Sequence, residues 1–184
     1  MSSPKKHVIL GVTGSIAAYK AADVIRLLQE HGFEVSVLMT GEAKKFIAPM
    51  TLAALSGRPV LSDMFSGDEK GWEMPHIRLA KEAAALVIAP ATAHTIAKLA
   101  CGMADDVLTC TALATRAPLV IAPAMNEEMY LHPAVKENCL KLKKMGARWV
   151  EPVKGLLACG IVGQGHLAAV EDIVKAVVAA VKAK

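Results

Sequence analysis

At 184 residues, 54% hydrophobic but only 4% aromatic, the chain has the size of one domain able to bury about 70% of its unfolded surface. Its net charge of +4 comes from dispersed lysines without an arginine cluster or interleaved aromatics, which argues against nucleic acid. Cys101, Cys110, Cys139 and Cys159 form no CxxC pair and no zinc-type spacing, and the longest uncharged apolar stretch, 83–97, is broken by Pro90 and His94 short of the roughly 20 residues of a membrane helix. A soluble cytoplasmic protein with reduced thiols and no metal is expected. The surplus of alanine, valine and leucine suits close helix-to-sheet packing and predicts a homo-oligomer.

Residues 7–12 predict a first buried strand, followed by the turn Thr13, Gly14, Ser15 and a helix over 16–31 closed by Gly32. With a second strand over 33–39 this makes a βαβ unit whose glycine turn sits at the first helix amino terminus. The turn reads GVTGSI rather than GxGxxG, and the second strand ends in Met39 and Thr40 rather than in an acid, so a nicotinamide dinucleotide is disfavoured. Ser15 and Thr40 offer hydroxyls beside backbone amides, suited either to a single phosphate, as of a mononucleotide, or to two ordinary turns.

Short helices are expected over 42–46 and 49–55, then an irregular exposed region to Pro75. His76 stands just before an alanine-rich helix, where a histidine is commonly a polar turn residue. Residues 85–89 predict a buried strand ending in Pro90, with Thr92, His94 and Thr95 leading into a helix to Cys101. Asp105 and Asp106 open a helix to about Arg116, at the end where acids are favoured.

Leu119, Val120 and Ile121 form another strand suited to cover on both faces, stopped by Pro123. Asn126 after it could cap a short helix beginning with Glu127 and Glu128, or face a ligand at the carboxyl end of the sheet. Two strands that each end in proline followed by polar side chains suggest one shared crevice. A helix opening at Pro133, a last strand over 148–150 and an amphipathic helix over 170–181 complete the chain. Between the last two, Gly155 to Ala168 holds four glycines, too many for a regular helix or strand, and predicts a mobile flap in which Cys159 is the most exposed thiol.

Four segments, GSIAAYK at 14–20, PHIRLA at 75–80, PAMNEEMY at 123–130 and LACGIVGQGHL at 157–167, resemble the FMN-dependent cysteine decarboxylases, most nearly the branch that acts on phosphopantothenoylcysteine in coenzyme A synthesis. The resemblance implies an α/β fold, a Rossmann-like doubly wound parallel sheet in three layers, forming a single FMN-binding domain over 1–184 with 155–168 as substrate flap. It further implies trimers or dodecamers, and a phosphopantothenate-cysteine ligase either separate or joined in a longer product.

By matching positions, Gly14, Ser15, Ile16, Thr40, Thr92, Ala93, His94, Thr95, Thr109 and Met125 would contact FMN. His76 would be the base, Asn126 would hold the substrate carboxylate, Cys159 would donate a proton, and Met129, Gly160, Gly163 and Gly165 would shape the substrate pocket. Decarboxylating an unactivated cysteine would leave an unstabilised carbanion. In this family FMN first oxidises the thiol carbon, giving a thioaldehyde that accepts the electrons left by CO2, and the enethiol is then reduced, so the reaction is redox-neutral. A neutral amide suits a carboxylate that must depart, and a histidine suits proton removal near neutral pH.

The chain departs from the family at His94, usually asparagine, at Tyr130, often tryptophan, and in the flap at Ile161 and His166. His94 bears on the flavin contact and Tyr130 is a mild change, while the acid-poor flap with His166 leaves room for a peptide carboxy-terminal cysteine or a prenylated flavin as substrate. A regulatory flavin-binding protein without turnover is the alternative of another class, against which the joint presence of His76, Asn126 and Cys159 speaks.

Overall fold

The computed structural model describes residues 5–64, 74–156, 160 and 162–183. Five parallel strands, β1 (His7–Val12), β2 (Glu34–Met39), β3 (Ala83–Ala91), β4 (Leu119–Pro123) and β5 (Arg148–Trp149), lie in the order β2-β1-β3-β4-β5. Side chains alternate across the sheet, and both faces are buried, which is why the strands read as continuous apolar runs. Val8, Leu10, Val87 and Val120 face one side, against α1 (Ala21–Glu30), α2 (Pro49–Ser56) and α8 (Val170–Lys182). Ile9, Leu86, Ile88 and Ile121 face the other, against α3 (Pro75–Glu82), α4 (Ala93–Cys101), α5 (Val107–Ala114) and α7 (Pro133–Lys144). The result is the three-layer, doubly wound α/β arrangement, with α6 (Glu127–Leu131) at the carboxyl edge after β4.

The chain steps outward from β1 to β2 and then returns across β1 to β3, so the direction of winding reverses between β1 and β3. Their carboxyl ends leave the crevice in which ligands of open α/β sheets bind.

Three expected elements differ. The predicted helix over 16–31 is a 3-10 turn, Ile16–Lys20, followed by α1, because the Ala18 amide bonds the Ser15 carbonyl three residues back and winds the entry more tightly than an α-helix. Strand β3 runs through Pro90 to Ala91 instead of stopping there, and its pairing with β4 shifts register between Ile88 and Ala91, an irregularity that accommodates a residue without an N–H. The glycine-rich segment forms an antiparallel hairpin, β6 (Val153–Leu156) and β7 (Val162–His166). In β7 the buried positions are Gly163 and Gly165 while Val162, Gln164 and His166 are exposed, so the period-2 alternation is real but its inward members have no side chains.

Candidate active site

The switch point is joined by a residue the sequence reading treated as turn. Thr13, directly after β1 and buried, donates its hydroxyl to the Pro90 carbonyl at 2.7 Å and accepts from the Thr92 amide at 3.1 Å. It thereby ties the carboxyl ends of β1 and β3 together. A polar residue directly after six buried strand positions was the available signal.

Beside this clamp lies a cavity of about 490 Å³ lined by Gly14, Ser15, Thr40, Glu42, Thr92, Ala93, His94, Thr95, Ala124, Met125 and Met129. Thr92 caps α4 by accepting from the Thr95 amide, and its hydroxyl lies 3.2 Å from that of Thr95. The amino terminus of α4 therefore opens onto the cavity with its partial positive charge. The Thr40 hydroxyl accepts from the Ala43 amide, and Ser15 from that of Ala17. Four hydroxyls converge there, on chain segments that follow β1, β2 and β3.

A second cavity, of about 640 Å³, shares Ser15, Ala124 and Met125 with the first and extends to Ile16, Tyr19, Lys20, Asn126, Leu156, Gly160, Gly165 and His166. Lys20 sits over the Tyr19 ring at 5.5 Å from its centre. Asn126 belongs to both structure and cavity: its Oδ1 accepts from the amides of Glu128 at 2.9 Å and Met129 at 3.4 Å, capping α6, while the residue lines the wall.

The hairpin forms the opposite wall and is bonded to the Asn126 loop. The Met125 amide donates to the Gly165 carbonyl at 3.0 Å, and the Gln164 amide donates to Glu127 Oε1 at 2.8 Å. A Cβ on Gly165 would stand 2.2 Å from the Met125 carbonyl oxygen, at a backbone φ of +144° that L side chains rarely adopt. Only glycine fits. Further along α6, Tyr130 donates its hydroxyl to Glu151 at 2.7 Å, just before β6, and Lys143 donates to the other oxygen of the same carboxylate. Burial works against the Glu151 anion, but the bonds from Lys143 and Tyr130 prevail and hold its pKa below the usual range, while burial and Glu151 push Tyr130 upward.

Of the residues singled out from the sequence, Gly14, Ser15, Thr40, Thr92, Ala93, His94, Thr95, Met125 and Met129 line the first cavity, and Ile16, Asn126, Gly160 and Gly165 the second. Three others lie elsewhere. His76, in the first turn of α3, lines neither cavity, and its Nδ1 is buried without a hydrogen-bond partner among the described residues. Thr109 is fully buried with its hydroxyl bonded to Asp106, as half of the capping box of α5. Gly163 packs against the Glu127 side chain. Cys159 and Ile161 lie outside the described residues. Sequence reasoning missed Tyr19, Lys20 and Glu42 as lining residues, although Tyr19 and Lys20 stand inside the GSIAAYK segment.

Among the described residues no group of three histidine, cysteine or acidic side chains could hold a metal ion, and no helix is long and apolar enough to cross a membrane.

The flavoprotein family pattern matches residues 1–182. A probable phosphopantothenoylcysteine decarboxylase of Streptococcus mutans is 46% identical over 172 residues, covering 92% of this chain and 96% of that protein. The coenzyme A biosynthesis bifunctional protein of Vibrio vulnificus is 48% identical over 162 residues, covering 88% of this chain, which spans only 40% of that longer relative. A solved cysteine-to-serine variant of PPC decarboxylase, complexed with pantothenoylaminoethenethiol, superposes with a TM-score of 0.85 at 31% identity over 95% of this chain and 97% of that one. With a matched pattern spanning nearly the whole chain and a near-full-length relative at this identity, the chain belongs to the flavoprotein family.

Proposed function

We propose that the chain is an FMN-dependent decarboxylase that converts phosphopantothenoylcysteine to phosphopantetheine. The observation that carries this reading is the pair of joined cavities: one lined by hydroxyls at a helix amino terminus, the other by Asn126 and a glycine hairpin. The donor set of the first fits FMN. Ser15, Thr40, Thr92 and Thr95 with the amino terminus of α4 suit its phosphate, and Ala124, Met125 and Met129 offer an apolar wall to the ring. When bound, FMN supplies the hydride chemistry that makes the carbon bearing sulfur an electron sink and afterwards restores it.

The chain's own residues orient and move protons. The Asn126 amide N–H groups hold the substrate carboxylate by hydrogen bonds without the strong ionic stabilisation that would oppose its departure. Cys159, which directly precedes the cavity-lining Gly160 in sequence, gives the proton that completes the product.

His76 serves as base from a second copy of the chain, since it lines neither cavity of its own. Exposed Ile16, Tyr19 and Met129 around the cavities offer that copy an apolar surface, consistent with a trimer or a dodecamer. Residues 1–184 act as one FMN-binding domain in the cytoplasm, with 155–168 as substrate flap, and a phosphopantothenate-cysteine ligase, separate or joined, supplies the substrate. The test is release of CO2 from phosphopantothenoylcysteine by the purified chain with FMN. Flavin bound without CO2 release would overturn the proposal.

A further inference from the structure

The hairpin carries an observation that the proposed chemistry does not use. The Glu127 carboxylate lies flat on β7: its Oε1 accepts from the Gln164 amide at 2.8 Å, and a Cβ on Gly163 would stand 2.5 Å from its Oε2 and 3.1 Å from its Cβ. Gly163 is thus the space in which the Glu127 side chain rests. One residue earlier Asn126 caps the same helix and lines the cavity, and one residue after Gln164 the Gly165 carbonyl receives the Met125 amide. Glu127 is half-buried, whereas its neighbour Glu128 is exposed and has no bond to the hairpin among the described residues.

We propose that Glu127 is a positioning residue: a carboxylate latch that holds the glycine hairpin against the Asn126 helix, so that the two opposite walls of the substrate cavity keep one spacing. A charged acceptor gives the Gln164 amide a stronger bond than a neutral one would, and the bare Gly163 backbone lets the carboxylate approach. The hairpin contributes Leu156, Gly160, Gly165 and His166 to the cavity, whereas none of its described residues lines the hydroxyl-lined cavity. Loss of the latch therefore loosens substrate binding and leaves flavin binding as it was. The link to substrate rests on the proposed decarboxylase activity; the latch itself does not.

The test combines hydrogen exchange at Gln164, flavin titration and steady-state kinetics of the FMN-loaded chain for Glu127→Ala, Glu127→Gln, Glu128→Ala and Gly163→Ala. Glu127→Ala should speed exchange at Gln164 and raise KM, each about tenfold, the loss of one hydrogen bond to a charged group, with kcat less affected and FMN affinity unchanged. Glu127→Gln keeps an acceptor and should restore both to within about threefold of the parent. Glu128→Ala removes the same charge from the same turn and should change neither.

Gly163→Ala displaces the carboxylate instead of deleting it and should act like Glu127→Ala. In the Glu127→Ala background, where the space is already vacant, it should add little, a non-additivity that independent sites do not show. Unchanged exchange at Gln164 in Glu127→Ala, an equal effect of Glu128→Ala, or additive effects of Glu127→Ala and Gly163→Ala would each overturn the latch. If Glu127→Ala does not fold, the comparison of Glu127→Gln with Gly163→Ala decides by the same exchange readout. A chain that releases no CO2 but shows the exchange pattern would sink the decarboxylase reading and keep the latch.

Discussion

Asn126 uses the carbonyl end of its amide to cap α6, which fixes where the rest of the side chain sits on the cavity wall. Of the two readings open from the sequence, the cap is observed, and the same residue lines the cavity that the ligand-facing reading requires; no local pattern could have shown that one residue takes both places. Two substitutions separate them. Asn126→Asp keeps a capping oxygen, so the melting temperature should stay close to the parent, but under the proposed function it sets a carboxylate against that of the substrate. Turnover should fall by about a hundredfold or more, with flavin retained, as for loss of a positioned donor. Asn126→Ala removes the cap as well and should cost about 1 kcal/mol in chemical denaturation. Thr109, which the resemblance implies as a flavin contact, is fully buried with its hydroxyl bonded to Asp106 and lines neither cavity.

The hairpin is the element least legible in the chain. Strand patterns are recognised by their inward side chains, and here the inward positions are glycines required by the close approach of the Asn126 loop. Gly165→Ala should therefore expel β7 from the Met125 backbone, at a cost of about 1 to 3 kcal/mol if the strained conformation were kept, and abolish turnover while the parallel sheet remains folded by circular dichroism. The pairing of β1 with β2 makes a different prediction. His7 is buried with its Nε2 2.8 Å from the Ser36 hydroxyl, and burial, reinforced by the positive charge of Arg58, lowers its pKa below the ordinary 6.5. The unfolded chain then binds a proton that the folded chain refuses, so stability present above pH 6.5 is lost as the pH falls below 6.5 toward the folded pKa. Melting temperatures measured between about pH 5 and 7.5 should fall on the acid side, and His7→Val should flatten that slope whatever it does to the absolute value.

At the scale of the molecule, the parallel strands themselves were readable because each is a run of β-branched and small residues covered on both faces, whereas their order β2-β1-β3-β4-β5 was not. The crevice was readable because β3 and β4 each end in proline and polar residues. The position of His76 was not, since a residue on a helix far along the chain is placed by the sheet order, which leaves no local trace. Ile88, fully buried in the central strand, should cost about 2 to 5 kcal/mol when cut to alanine, read as a lower urea midpoint with unchanged slope. Association, by contrast, should respond to Tyr19 and Met129, which are 54% and 49% exposed beside the cavities. The most direct measurement is mass spectrometry of an equimolar mixture of phosphopantothenoylcysteine and a peptide ending in cysteine, incubated with the purified chain and FMN. Loss of one CO2 from phosphopantothenoylcysteine alone is the predicted result; loss from the peptide instead, or from neither while flavin is bound, would contradict it.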